Sequence, residues 1–274
     1  MTEKKEPDIP ATGGLLQGVG VLVTRPGHQA DALCRMIEAE GGRAVRFPVL
    51  EIRGPADETG LLNAIRNLES YHWAIFISVN ANNRGMQRVL AGRSWPDSVR
   101  IAVIGRRSAR EAELLGCPAD LVPEQRFDSE GLLALPEMQA VQGQRIAIFR
   151  GNGGRELLAE QLRARGAEVD YVETYRRVCP SHNNVGDLLR RWQAGEIQIT
   201  LVNSAESLSN LEAMLGQDGQ QLLQSTPLVV VSERMLSLAR KAGFVQRPVL
   251  AANATDTAVF QALCNWRKQR IEGG

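Results

Sequence analysis

The sequence predicts an α/β protein built as two doubly wound parallel-sheet domains of similar design, with a ligand cleft between them. The first observation behind this is an internal repeat. VLVTRPGHQADALCRMIEAEGGRAV, starting at Val21, is echoed by IAIFRGNGGRELLAEQLRARGAEV, starting at Ile146, which lays Arg25 over Arg150 and Gly42 over Ala167. FISVNA (Phe76–Ala81) answers LVNSA (Leu201–Ala205), IAVIGRRSAREAELLGC (Ile101–Cys117) answers LVVVSERMLSLARKAGF (Leu228–Phe244), and RFDSEGLLAL answers ANATDTAVFQAL. The second observation is that strand-sized apolar runs alternate with helix-period stretches and lack hairpin-turn signals, the mark of a doubly wound sheet. The third is length: 274 residues suit two domains of ordinary size better than one core. A duplicated α/β unit places the natural ligand site in the cleft between its copies.

In chain order, residues 1–18 are polar and read as a mostly disordered tail. VGVLV, RAVRF, AIFIS, RIAVI, RIAIF, QITLV, LVVV and RPVLA read as strands buried on both faces, because they are apolar without alternation. Ala30, Leu33 and Ile37 form a helical stripe after the first of them, as do Met235, Leu238, Ala239 and Ala242 near the end. Gly41–Gly42, Gly116, Gly166 and Gly243 stand where helix C-termini require a left-handed residue. PVLEIR (Pro48–Arg53) and VETYRRV (Val172–Val178) alternate apolar and polar residues and suit an exposed two-stranded connection, which favours one domain nested within the other.

Composition narrows the function. Hydrophobic content of 43% and charged content of 23% are those of a soluble globular protein. A net charge of +1 argues against a dedicated nucleic-acid binder. The apolar runs are too short to span a bilayer, and the N-terminus has no signal-peptide pattern, so a cytoplasmic location without membrane attachment is expected. Four scattered cysteines and three scattered histidines form no zinc spacing, and no H-E-x-x-H, G-x-S-x-G or C-x-x-C occurs. No metal and no organic cofactor is expected. RGNGGRE offers a glycine loop opening a helix, but its spacing breaks the dinucleotide fingerprint, and a turn fitted to its helix is the better account.

The residues near the strand ends and helix starts carry more information. They are Thr24 and Arg25; Ser78, Asn80 and Ala81; Gly105 and Arg106; Ser129; Arg150 and Gly151; Asn203, Ser204 and Ala205; Ser232; and Thr255. Ligands of open parallel sheets bind outside the carboxyl ends of the strands. Hydroxyls and amides at helix starts there would combine with free N–H groups and a favourable dipole into a surface for carboxylates. Ser204, Ser232 and Thr255 read equally well as ordinary N-caps, and Arg106, Arg107 and Arg234 as solvated surface charge.

Taken in order, VLVTRP, FISVNA, AVIGRRSAREAELLG, VPEQRFDSEGLL, RGNGGRELLAEQLRARGAEVDYVETYRR, NSAESL, VVSERM and ATDTAV resemble uroporphyrinogen-III synthase. The likeness runs from about Val19 to about Leu263. It departs at Val79 and Arg106, where that family often has proline. The resemblance implies two flavodoxin-like domains, 19–47 with 178–274 and 54–168, joined by a two-stranded ladder of 48–53 and 169–177. It also implies a cofactor-independent hydro-lyase whose substrate is hydroxymethylbilane, a linear tetrapyrrole with an acetate and a propionate on each ring. Tyr175, in ETYRR, matches the family's tyrosine and is the candidate general acid; as a bland alternative it is a half-buried ladder residue. Glu130, Glu206 and Glu233 are candidate stabilisers of a cation, with nothing in their spacing to choose among them. A monomer is expected, because no long apolar stripe is left over for a partner. The rival reading is a non-catalytic two-lobed small-molecule sensor. An exported one would need a signal and a transcriptional one a DNA-binding segment, and neither is legible here.

Overall fold

A computed structural model describes residues 14–273 of the chain. They divide into two compact units, one running to Glu51 and resuming at Cys179, the other spanning Ile52–Val178. The first opens with β1 (Gly20–Val23), α1 (Gly27–Ala39) and β2 (Arg43–Arg46), and β3 (Glu51–Arg53) leads out of it. The second holds α2 (Thr59–Arg66), β4 (Trp73–Phe76), α3 (Val79–Leu90), β5 (Arg100–Val103) and α4 (Arg106–Leu114). It continues with α5 (Ser129–Leu133), α6 (Pro136–Gln139), β6 (Arg145–Gly151), α7 (Leu157–Ala164) and β7 (Glu168–Val178). The chain then completes the first unit with α8 (Val185–Gln193), β8 (Ile199–Leu201), α9 (Ala205–Ser225), β9 (Leu228–Val230), α10 (Glu233–Lys241), β10 (Val249–Leu250) and α11 (Asp256–Glu272).

The first unit's sheet has the order β10-β9-β8-β1-β2, with each of these neighbours paired in parallel. Its central strands are buried along their whole length, as continuous apolar runs require. Alternation along β1 sends Val21 and Val23 to one face and Leu22 to the other. Val21 and Val23 pack with Leu33 and Ile37 of α1 and with Leu263 and Trp266 of α11. Leu22 packs with Leu188 and Trp192 of α8, Leu211 of α9 and Met235 of α10. Both faces of the sheet are therefore covered.

The second unit's sheet runs β3-β7-β6-β4-β5, parallel across β5-β4-β6-β7. Phe76 and Phe149 stack across β4 and β6, ring centroids 4.5 Å apart, beneath Met86 and Val89 of α3. On the opposite face Ile75, Ile146 and Ile148 meet Leu132, Met138, Leu158 and Leu162. Burying side chains of this size contributes about 1.5–3 kcal/mol each, so each sheet carries its own core. Gly41, Gly116, Gly166 and Gly243 have φ between 75° and 84°, the left-handed turn expected of them at helix ends.

Three expectations need correction. Of the tail at 1–18, residues 1–13 lie outside the described residues, but Gly14–Gly18 form an ordered turn in which Leu16 is fully buried. The connection expected of residues 48–53 with residues 172–178 is present as β3 beside β7, but residues 172–178 are not an exposed ribbon in it. They continue an 11-residue strand paired to β6 through Tyr175, with Val172, Thr174 and Tyr175 buried. RPVLA contributes only Val249 and Leu250 as strand, because it lies at the open edge of its sheet. The fold itself is an α/β arrangement of parallel sheets.

Candidate functional site

In the first unit the order of strands reverses at β1, between β2 and β8, and the polar residues predicted from the sequence gather beyond it. Thr24 is buried and its hydroxyl donates to the Leu201 carbonyl at 2.6 Å, so it ties the ends of β1 and β8 together. Arg25 is also buried. Its guanidinium pairs with Asp256 and donates to the Ala254 carbonyl at 3.0 Å. With its amide turned to satisfy both groups, Asn203 accepts from Arg25 as well. Arg25 thus fastens β1 to the start of α11, and its charge is already answered by Asp256.

The helix starts after β8, β9 and β10 are capped by the side chains expected to do so, and the one after β4 is capped by Ser78 as well. Ser78 accepts from Ala81 N–H at 3.1 Å, Ser204 from Ser207 at 3.0 Å, Ser232 from Met235 at 3.4 Å and Thr255 from Ala258 at 3.3 Å. Capping uses a hydroxyl's lone pair and leaves its proton. The Thr255 proton goes to Asn253, and Ser204 shares one with Ser207. Ala81 and Ala205 therefore occupy the first turns of α3 and α9, with the Ala81 N–H already taken. Gly105 caps α4 without a side chain, which leaves that first turn the least satisfied of the set. Ser129 is the first residue of α5; the cap is Asp128, which accepts from Gly131 at 2.8 Å. Glu130 is ion-paired with Arg126 and Arg155.

Val79 and Arg106 are the first helical residues of α3 and α4. That position favours proline, since its N–H has no partner inside the helix. Ser78 (φ −162°, ψ 160°) and Gly105 (φ −145°, ψ 155°) are already extended, as the residue before proline must be. Val79→Pro and Arg106→Pro should accordingly each raise stability by about 0.4–1 kcal/mol through the unfolded chain. A lower melting temperature in either variant would contradict this placement.

In the second unit Tyr175 is 4% exposed, and its hydroxyl lies 3.2 Å from Ser78 Oγ. Its ring rests flat on Gly151: a Cβ there would stand 2.6 Å from Cζ. The register shift between Arg150 and Gly151 brings Gly151 opposite Tyr175. Arg150 falls on the other face of the sheet and lines a cavity of about 360 Å³ with Ile104, Phe127, Ser129, Ile148 and Tyr171. Its Nη1 donates to Glu156 at 3.0 Å, and its guanidinium lies 4.3 Å over the Tyr171 ring. Hydrogen bonds from Tyr171 and then Arg150 hold the Glu156 carboxyl below its ordinary pKa. Burial, and then that same bond, push the Tyr171 hydroxyl up. The RGNGGRE glycines act as the turn expected: Gly154, at φ 123°, leaves room for Arg150 Nη2, which a Cβ would approach to 3.0 Å. Sequence reasoning missed Tyr171 and Glu156. Tyr171 stands opposite Ile148 in the β6–β7 register, a pairing that local sequence does not encode.

Arg106 is exposed, with its guanidinium 5.1 Å from the Phe127 ring. Among the described residues no cluster of side chains is suited to a metal ion, and no helix is long and apolar enough to cross a membrane. Cys34, Cys117 and Cys264 are buried free thiols whose pKa burial raises, which makes them poor nucleophiles.

Two sheets of parallel strands, each covered on both faces and each ending in capped helix starts and polar side chains, define an α/β protein. Comparison with known proteins narrows the class. A family model described as "Uroporphyrinogen-III synthase HemD" matches residues 31–261. Uroporphyrinogen-III synthase of Salmonella typhimurium is 35% identical over 249 residues, covering 89% of this chain and all of that protein. That of Escherichia coli is 34% identical over 247 residues with the same coverage. Among solved structures, a mutant uroporphyrinogen III synthase from Thermus thermophilus aligns with a TM-score of 0.60 at 16% identity, over 93% of this chain and 99% of that one. The Helicobacter pylori enzyme gives 0.57 at 10% identity, over 90% and 99%, and these two likenesses speak to fold alone. The chain belongs to the uroporphyrinogen-III synthase family.

Proposed function

We propose that this chain converts hydroxymethylbilane to uroporphyrinogen III, as a cyclising hydro-lyase of tetrapyrrole biosynthesis. The observation that carries the reading is the 35% identity to a uroporphyrinogen-III synthase along that protein's whole length. The first unit's strand order supports two flavodoxin-like domains, since its strands taken in chain order lie 2-1-3-4-5. Aligned as the repeat aligns them, β7-β6-β4-β5 of the second unit match β2-β1-β8-β9 of the first, a circular permutation that starts at β6 with β3 added beside β7.

In the proposed reaction the terminal hydroxyl leaves as water with a proton from a positioned acid, which generates an azafulvene cation. The last pyrrole ring attacks that cation through its substituted α-carbon, giving a spiro intermediate. The bond from that carbon to its original methylene breaks, the methylene is recaptured by the ring's free α-carbon, and loss of the proton from that carbon leaves the neutral macrocycle with the ring inverted. Free in water, the same cation closes directly to the uninverted isomer. The protein must therefore impose a folded geometry, an orientation effect of the kind that supplies several kcal/mol. This fits a site rich in capped helix starts and poor in acid–base groups.

Tyr175 is assigned the acid. Ser78 Oγ receives the Ala81 N–H and holds a proton it can offer to the Tyr175 oxygen, which leaves the phenol proton free for the substrate hydroxyl. Thr24, Asn80, Ala81, Gly105, Arg106, Ser129, Gly151, Asn203, Ser204, Ala205, Ser232 and Thr255 are assigned, with Ser78, Arg25 and Arg150, to carboxylate binding or to the backbone that performs it. Arg25 contributes by fixing the strand end, since Asp256 answers its charge. The enzyme is assigned as a cytoplasmic monomer working without a cofactor.

The test is direct. Freshly prepared hydroxymethylbilane is incubated with the protein, the products are oxidised, and the isomers are separated. Isomer III should dominate over the blank, and an isomer composition equal to the blank would reject the assignment.

A further inference from the structure

Arg150 is the most deeply buried arginine of the second unit, 3% exposed, and only part of it is answered. Nη1 is committed to Glu156, while Nε and Nη2 are buried without a hydrogen-bond partner. Those two nitrogens form one edge of the guanidinium plane, the edge that engages a carboxylate through two parallel N–H···O bonds. Leaving two such donors unmet is costly, and folded proteins retain the arrangement where a ligand completes it. The plane is held in place by Tyr171 beneath it and by Glu156 on its far side. The cavity that Arg150 lines is walled by Ile104, Phe127, Ile148 and Leu158, with Ser129 as a hydroxyl neighbour. Its carboxylate, Asp128, is already engaged by the Gly131 N–H and by Arg126, and Glu130 by Arg126 and Arg155. Gly154 stands beside Nη2 with no side chain of its own; a Cβ there would approach that nitrogen to 3.0 Å, so the glycine leaves this end of the edge clear of side-chain atoms.

We propose that the Arg150 cavity is a dedicated subsite for one carboxylate-bearing alkyl arm of the substrate, with the carboxylate on the Nε–Nη2 edge and the methylenes against the apolar wall. The identity of the arm, an acetate or propionate on a pyrrole, rests on the proposed reaction; the pocket's preference for an alkyl carboxylate does not. Arg150 and Gly151 are neighbours on β6 facing opposite sides of the sheet, so an arm seated here anchors a ring at the end of β6, across the sheet from Tyr175 of β7 on Gly151. Glu156 competes for the same cation, so it tunes the subsite.

The probe is a synthetic pyrrole carrying one acetate and one propionate, with its dimethyl ester as control. In wild-type protein the Arg150 Nε–H resonance, assigned through its loss in Arg150→Lys, should shift on titration with the diacid and stay put with the diester. Arg150→Lys keeps the charge but loses the two-pronged edge; KM for hydroxymethylbilane should rise about 10-fold or more, with kcat within about threefold. Glu156→Gln should act in the opposite direction and lower KM, which a merely structural role for Arg150 would not produce. A resonance indifferent to the diacid, or a KM within twofold of wild type in Arg150→Lys, overturns the proposal. If Arg150→Lys does not fold, the assignment passes to a 15N-arginine spectrum of Glu156→Gln, and the titration decides. Failure of the wild-type protein to make isomer III would reject the reaction while leaving the diacid titration to judge the pocket.

Discussion

Tyr175→Phe should fold normally, bind hydroxymethylbilane with nearly unchanged KM, and turn over about 10²-fold more slowly or somewhat less, at the low end of what a positioned acid contributes. The ring packs against Gly151 and within the core that contains Phe76 and Phe149, and phenylalanine preserves all of that. Only the hydroxyl is lost, with its 3.2 Å contact to Ser78, at a cost of about 0.5–1.5 kcal/mol in stability. The substrate ionises slowly on its own, so the reaction should survive, with a larger fraction of uninverted isomer escaping by spontaneous closure. An unchanged kcat would reduce Tyr175 to a packing residue. A folded but wholly inactive variant would be equally damaging, because one group would then outweigh positioning.

Gly151→Ala should come close to Tyr175→Phe in rate while leaving every titratable group in place. The added Cβ would meet Tyr175 at 2.6 Å from Cζ and 2.7 Å from Cε2, closer than carbon atoms approach. The neighbour is a stiff ring, buried and flanked by a β-strand, so it cannot flex away as a long chain end would. Overpacking of this kind costs about 1–3 kcal/mol, and a phenol displaced by about 1 Å can lose on the order of 10²-fold in rate. Thermal unfolding gives the first quantity and isomer-resolved kinetics the second. The double variant Gly151→Ala/Tyr175→Phe sharpens the test. If the glycine acts through the hydroxyl, it adds little rate loss once the hydroxyl is gone. A further tenfold drop in the double variant would show that Gly151 serves the reaction by another route.

What was legible in the chain was whatever depends on neighbours a few residues away. Ser204, Ser232 and Thr255 were readable as caps because a cap bonds to the N–H three residues on, and each does so. The caps at Ser78 and Asp128 went unread, although serine and aspartate both suit the role. The strand assignments followed from uninterrupted apolar runs, and the one at RPVLA is shortened to Val249–Leu250, where a sheet edge removes the demand for burial.

The sequence by itself therefore determined the α/β class, the duplicated strand pattern, the capped helix starts and the family, because period, capping and repeat are written in local order. Only the tertiary structure decided what the charged and aromatic residues do. Arg25 and Arg150 lie over one another in the repeat, yet Asp256, 231 residues along the chain, answers the first. The second is left with an unmet edge beside Tyr171. Tyr175 and Gly151 touch because a register shift between β6 and β7 sets them opposite each other. A side chain's role depends on which distant groups the fold brings within about 3–4 Å, the range over which hydrogen bonds and packing act, and no periodicity along the chain encodes that distance.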